Sequence, residues 1–314
     1  MPQNEPTVEI RQFLGLRNTE RPARMPAGSL VQARNIDIDD AGAIERRAGY
    51  QPVPGLSGVT AAYATKDDRR LFVVAGGALQ EVVSLDPLAT RHLAGGFGAG
   101  EVWWSEGGGY VFCSGAGRGV VSGSRFSTLE EFGDTSIEER ALDAILLDES
   151  TDVGTSPPPP DTECVAFFQG SVWLSYYDSV ENQSFLFWSK PFFWSRWDLG
   201  KDYMPVPGRV LLLAIFNEGL FIGTDQGMWF YTEGLLQRVA DHGVVPGQPS
   251  YDQGKLYFWT PRGLCRFLPL EYLTEKAVSL PPGTRASVGV VRERGYRRAI
   301  VLTTGESEAD NPYE

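Results

Sequence analysis

The chain has 314 residues, 42% of them apolar and 22% charged, which excludes a disordered chain and allows a sizeable core without crosslinks. A net charge of −12 lacks the basic footprint of a general nucleic-acid binder. The three cysteines, Cys113, Cys164 and Cys265, are widely spaced with no C-x-x-C pair, which excludes the common zinc and dithiol motifs. Each lies in an apolar, strand-like run, the setting of a small buried hydrophobe in a reducing compartment. The opening MPQNEPTVEI has no basic segment and no apolar stretch of a signal peptide. The longest apolar run, Val210–Phe216, is too short to span a bilayer. The expectation is a protein made in the cytoplasm, without membrane insertion.

In chain order, the first residues read as an extended polar arm. Met25-Pro26-Ala27-Gly28 is turn chemistry. Ile36 and Ile38 alternate with Asp37 and Asp39, a turn follows at Asp40-Ala41-Gly42, and Ile44–Arg47 returns, which predicts a hairpin. Short apolar runs then flank glycine turns. Leu71–Ala75 and Leu79–Val83 flank Gly76-Gly77, and Glu101–Ser105 and Tyr110–Cys113 flank Gly107–Gly109. Leu129–Leu147 is acidic with mixed helical spacing, and Pro157–Pro160 cannot form a strand. That segment reads as an inserted loop or spacer. Strands resume at Val165–Phe168, Val172–Tyr177, Phe185–Trp188, Val210–Phe216, Leu220–Ile222, Met228–Tyr231, Leu256–Trp259 and Leu264–Phe267. The last pair is Ala286–Val291 and Ala299–Leu302.

A turn recurs: Thr224-x-x-Gly227 and Thr260-x-x-Gly263 each join two apolar runs, roughly 36 residues apart, near the period of propeller blades. With eight tryptophans and 36 glycines, these strands predict an all-β fold, a β-propeller of about five or six blades, ahead of a β-sandwich with hairpins. The expected organisation is an N-terminal arm and hairpin at 1–57, a propeller at 58–304 with an acidic and Pro-rich insertion at 127–163, and a flexible acidic tail at 305–314.

One stretch carries a family likeness. Leu16-Arg17-Asn18-Thr19, Met25–Leu30, Ala33–Gly42 and Arg46-Arg47-Ala48-Gly49-Tyr50 together resemble the opening of the tail nozzle and DNA-stabilisation proteins of short-tailed bacteriophages. Here Met25-Pro26 replaces the double proline common in that family, and Ala48 stands where proline is common. Gly223-Thr224-Asp225-Gln226-Gly227 is also similar to the family's blade turn. The resemblance implies a virion tail protein, a propeller whose copies form a ring, expected to be a hexamer, below the head-to-tail connector. Its partners would be portal and adaptor proteins, with a tail needle, fibre or spike below. Double-stranded DNA would pass without sequence-specific contact, and an acidic channel suits that role by repelling phosphate. The assembly interface would draw on the arginine-rich ends: Arg17, Arg24, Arg34, Arg46, Arg47, Tyr50, Arg294 and Arg297.

Other chemistry is thinner. Asp37, Asp39 and Asp40 lack the later ligands of a calcium loop, since positions 41 and 48 are Ala41 and Ala48. His92 and His242 are the two histidines, and no G-x-S-x-G elbow accompanies them. Gly115–Gly119 lacks the ending of a phosphate loop and reads as a hairpin turn. The enzymatic alternative is a carbohydrate-active or glycan-binding propeller. It would draw acids from Asp178, Glu181, Asp198 and Asp225, with Trp194, Trp197 and Tyr203 as sugar platforms. Tryptophans that pack between blades are the competing expectation. The expectation is thus a structural protein with no catalytic residues, metal or cofactor.

Overall fold

The computed structural model describes residues 13–19, 24–33, 36–38, 43–46, 52–132, 156–216, 219–280, 282–293 and 296–305. The chain is all-β and of the β-propeller class, with five blades. It divides into two compact units, Pro52–Val244 and, together, Met1–Gln51 with Val245–Glu314.

At the N-terminus, β1 (Gly15–Leu16) and β2 (Ser29–Leu30) pair in parallel, and β3 (Ile36–Ile38) and β4 (Ile44–Arg46) form the expected antiparallel hairpin. The larger unit then builds four blades. The first is β5 (Val59–Ala64), β6 (Leu71–Ala75), β7 (Ala78–Leu85) and β8 (Leu88–Gly95). The second is β9 (Val102–Gly107), β10 (Tyr110–Gly115), β11 (Gly119–Ser122) and β12 (Arg125–Ser127), followed by the short helix α1 (Leu129–Phe132). The third is β13 (Thr162–Phe168), β14 (Ser171–Asp178) and β15 (Gln183–Lys190), with its outer position shared. There β16 (Phe193–Trp197) pairs one end of β15 and β17 (Tyr203–Pro207) the other. The fourth is β18 (Val210–Phe216), β19 (Gly219–Thr224), β20 (Met228–Thr232) and β21 (Leu235–Ala240). Each is an antiparallel meander, and some of the tight turns use glycine, as at Gly76 and Gly77 with φ of +58° and +76°.

The smaller unit carries the fifth blade, β22 (Ser250–Asp252), β23 (Lys255–Thr260), β24 (Gly263–Phe267) and β25 (Glu271–Tyr272), and the hairpin β26 (Arg285–Glu293) with β27 (Tyr296–Thr304). The recurrent turn has one construction in two blades. Thr224 Oγ1 accepts the backbone N–H groups of Gln226 and Gly227, both at 3.1 Å. Thr260 Oγ1 accepts the N–H of Arg262 at 3.1 Å. Both threonines are fully buried, so the hydroxyl supplies hydrogen bonds that water cannot reach.

Blades stack through aromatic side chains. Trp104 lies against Tyr63 (5.4 Å) and Phe72 (6.2 Å), joining the first and second blades. Trp194 meets Tyr110, Phe112 and Phe167 edge-on and stacks on Phe132 of α1 at 5.5 Å. Trp173 stacks on Trp188 at 4.5 Å and reaches Tyr231 of the fourth blade at 5.5 Å. These strands are packed on both faces, which is why they read as continuous apolar runs rather than clean alternations. In the segment read as an inserted loop or spacer, α1 ends at Phe132 and residues 133–155 lie outside the described ones.

Candidate functional site

Blade-to-blade connections and the turns between second and third strands hydrogen-bond to one another along one rim of the larger unit. Phe97 N–H donates to Gly77 O (3.0 Å), Gly98 N–H to Ala116 O (2.8 Å) and Ala116 N–H to Glu101 O (2.7 Å). Farther along, Gly208 N–H donates to Asn182 O (3.2 Å), Asp225 N–H to Arg209 O (3.1 Å) and Val244 N–H to Thr224 O (2.8 Å). Gly115–Gly119 belongs to this rim and is a turn, as expected. A Cβ on Gly117 would stand 2.2 Å from the Phe97 ring, so glycine is needed there for close approach.

The rim's strongest polar cluster centres on Arg209. Its Nε donates to both carboxylate oxygens of Glu163 at 3.0 Å, and its backbone N–H donates to Asp225 Oδ1 at 2.8 Å. The guanidinium lies 5.6 Å from the centre of the Tyr177 ring. The Glu163 hydrogen bond raises the guanidinium pKa further, so this group stays charged and exchanges no proton. Nearby, Arg118 donates to Pro159 O and Glu130, which ties the insertion's two ends to the rim. The cluster braces loops. Sequence reasoning missed it because Glu163 lies near the start of β13 and Arg209 just before β18, in different blades, and no local pattern links them.

The acids considered for sugar chemistry are engaged in turns. Asp178 Oδ1 accepts the N–H of Val180 at 2.9 Å, and Asp198 Oδ1 accepts the N–H of Gly200 at 3.2 Å. Glu181 lies in the same turn as Asp178, its N–H 3.4 Å from that carboxylate. Trp194 is 9% exposed and Trp197 fully buried, so neither is a sugar platform; both fill the core. Tyr203 is 41% exposed, beside Phe185 and Phe187. Among the described residues no group of three or more His, Cys, Asp or Glu is placed to hold a metal. All three cysteines are buried and free.

Of the residues expected at an assembly interface, Arg17, Arg24, Arg46 and Arg297 are among the described ones. Arg17 is partly buried, with its backbone N–H on Leu30 O at 2.8 Å. Arg24 and Arg46 are exposed, Arg46 opposite Ile36 in the hairpin. Arg297 lies in β27 opposite Arg292. Arg34, Arg47, Tyr50 and Arg294 lie outside the described residues. The likeness-bearing pair Asn18-Thr19 has a defined place. Asn18 donates from Nδ2 to Ser279 O (2.8 Å) and accepts Ser279 N–H at Oδ1 (2.6 Å). Thr19 Oγ1 donates to Lys276 O at 2.7 Å. Within this unit the arm is therefore clipped to residues 276–279.

No family model matches the chain, and no curated protein matches it. Among solved structures it is similar to the extracellular domain of a hybrid two-component system from B. thetaiotaomicron, at 10% identity and a TM-score of 0.49 over 81% of this chain and 35% of that one. It is also similar to virginiamycin B lyase from Staphylococcus aureus, at 11% identity and a TM-score of 0.39 over 81% of each chain. A third likeness is to the AfRom2 CNH domain, at 12% identity and a TM-score of 0.32 over 73% of this chain and 91% of that one. The chain spans about a third of the length of the first of these. These likenesses assign neither substrate nor partner.

Proposed function

We propose that this chain is a structural propeller subunit of a short-tailed phage virion, a ring-forming nozzle below the head-to-tail connector that closes or extends the DNA channel. The observation that carries the reading is the Asn18 clip. Asn18 belongs to the stretch that resembles the nozzle family, and its amide spends both donor and acceptor on the backbone of Ser279. A side chain used up in this way holds an arm in place, which is a structural use of the motif. The net charge of −12 supports a conduit that repels phosphate rather than a surface that grips it. Copies would close a ring through head-to-tail contacts, and the portal–adaptor assembly would seat it.

The test is mass in solution by light scattering, with electron microscopy, in the presence and absence of a portal–adaptor assembly from the same source. Closed rings that dock on that assembly are the expected result. A monomer that ignores the assembly would overturn the reading.

A further inference from the structure

The segment that leads from β25 to β26 is tied to the fifth blade at both ends. At its start, Leu273 N–H donates to Leu264 O at 2.8 Å, and Thr274 Oγ1 accepts the N–H of Leu264 at 2.9 Å. Arg262, in the turn between β23 and β24, donates from Nε to Glu275 Oε1 at 2.5 Å. At the far end, Trp259 Nε1 donates to Pro282 O at 3.1 Å. Between these ties the backbone turns on itself, because Ala277 and Val278 both donate to Thr274 O, at 2.9 and 2.8 Å. Each of these bonds joins the segment to the blade or to itself. The turn at 276–279 is thus a seat that the blade builds from its own residues.

The N-terminal arm has bonds of its own. Leu14 N–H donates to Gly28 O and Arg17 N–H to Leu30 O, both at 2.8 Å, on either side of the parallel pair β1–β2. Its contact with the seat comes through one dipeptide. Asn18 N–H donates to Ala277 O at 3.0 Å, and Thr19 Oγ1 donates to Lys276 O. The Asn18 amide adds its donor and its acceptor, both on Ser279. All four bonds fall on main-chain atoms of 276–279, so the fit is to the shape of the turn and not to its side chains. The three side-chain bonds lie at exposed positions, where water competes for the same groups.

We infer that the arm is a strap. It docks on a seat that the fifth blade has already formed, Asn18 and Thr19 hold it closed together, and it opens as one piece while seat and blade stay folded. Exposed backbone contacts open at a free energy well below that of global unfolding, whereas the buried strands of a blade open last. The strap concerns motion within one chain, so ring mass on the portal–adaptor assembly tests the nozzle reading separately.

The test is amide hydrogen exchange, read by NMR on the full chain and on the variants Asn18→Ala and Thr19→Ala. The Thr19 bond goes to Lys276, so its loss removes no partner of the Asn18 or Ser279 amides. Thr19→Ala is nevertheless expected to speed exchange of both amides several-fold, because the strap opens as a unit. Asn18→Ala is expected to do the same at Ser279 and at position 18. The amides of Ala277, Val278 and Leu264, which belong to the seat, keep their wild-type rates in both variants. Unchanged Asn18 and Ser279 amides in Thr19→Ala would show separate bonds in place of a strap, and would overturn the inference. Equal acceleration at Ala277 and Val278 would show that the arm builds the seat, and would overturn it too. Urea midpoints of the two variants separate local opening from a general loss of stability. A midpoint within error of wild type is expected, and a fall large enough to account for the faster exchange sinks the strap.

Discussion

The hydroxyl of Ser184 on β15 accepts the backbone N–H of Val210 on β18 at 2.9 Å, with both residues almost wholly excluded from water. The register between β18 and β19 shifts just after Val210, so the ladder at this point is irregular and a side chain from the neighbouring blade takes the N–H. Ser184→Ala leaves that donor buried without a partner, at a cost of about 1–3 kcal/mol. The expected outcome is a lower urea midpoint with an unchanged m-value. A midpoint within error of wild type would show that another acceptor reaches the Val210 N–H.

Trp194 is the hub of the contact between the second and third blades. It touches Tyr110, Phe112, Phe167 and Phe132, and Phe132 brings α1 with it. Trp194→Ala is expected to cost about 3–5 kcal/mol, the range for removing a large buried aromatic. Phe132→Ala is expected to cost less, because Phe132 is only partly buried. Chemical denaturation of both variants gives the comparison, and the reverse order would mean that α1, not Trp194, organises the cluster.

Much of the blade architecture was legible because glycine and threonine mark turns for local reasons. Gly76-Gly77 placed β6 and β7, and the repeated Thr-x-x-Gly turn placed β19–β20 and β23–β24, since positive φ and a side-chain cap act over a few residues. Strands without such punctuation were missed. In β8, Thr90, Arg91 and His92 are exposed and polar, and the strand exists because it pairs with β7. The shared outer position of the third blade was equally invisible, because β16 and β17 are separate segments brought to one strand by tertiary packing. Tryptophan burial followed the same logic. Trp197 beside Asp198 looks like a surface platform in sequence, yet it is fully buried. The Arg209–Glu163 brace and the Asn18–Ser279 clip join residues far apart in the chain, which no spacing rule reports.

The Arg209–Glu163 pair is predicted to matter little for stability. The two side chains are 51% and 25% exposed, and such a pair is solvated and screened, contributing about 0–1 kcal/mol. A double-mutant cycle with Arg209→Ala and Glu163→Gln is expected to return a coupling energy in that range that shrinks as salt is added. A larger, salt-independent coupling would show that the brace is desolvated in the assembled protein.

Alkaline pH is predicted to weaken the fold through its thiols. Burial pushes Cys113 up to about 12 and Cys265 up to about 11, and burial with the nearby Glu163 carboxylate pushes Cys164 well above its usual range. An unfolded thiol titrates near ~8.5. The folded pKa lies above the unfolded one, so the unfolded state loses protons first as pH rises. The contribution of each thiol is fully present below about pH 8.5 and is lost progressively toward the folded pKa, at about 1.4 kcal/mol per pH unit. Urea midpoints measured from pH 7.5 to 10 should therefore fall more steeply for the wild type than for Cys113→Ala, whatever the variant's stability at neutral pH. In the native protein at pH 8 a disulfide reagent should titrate these thiols slowly, and in denaturant all three at once. Parallel pH profiles for the two proteins would show that Cys113 titrates in the folded state as it does in the unfolded chain.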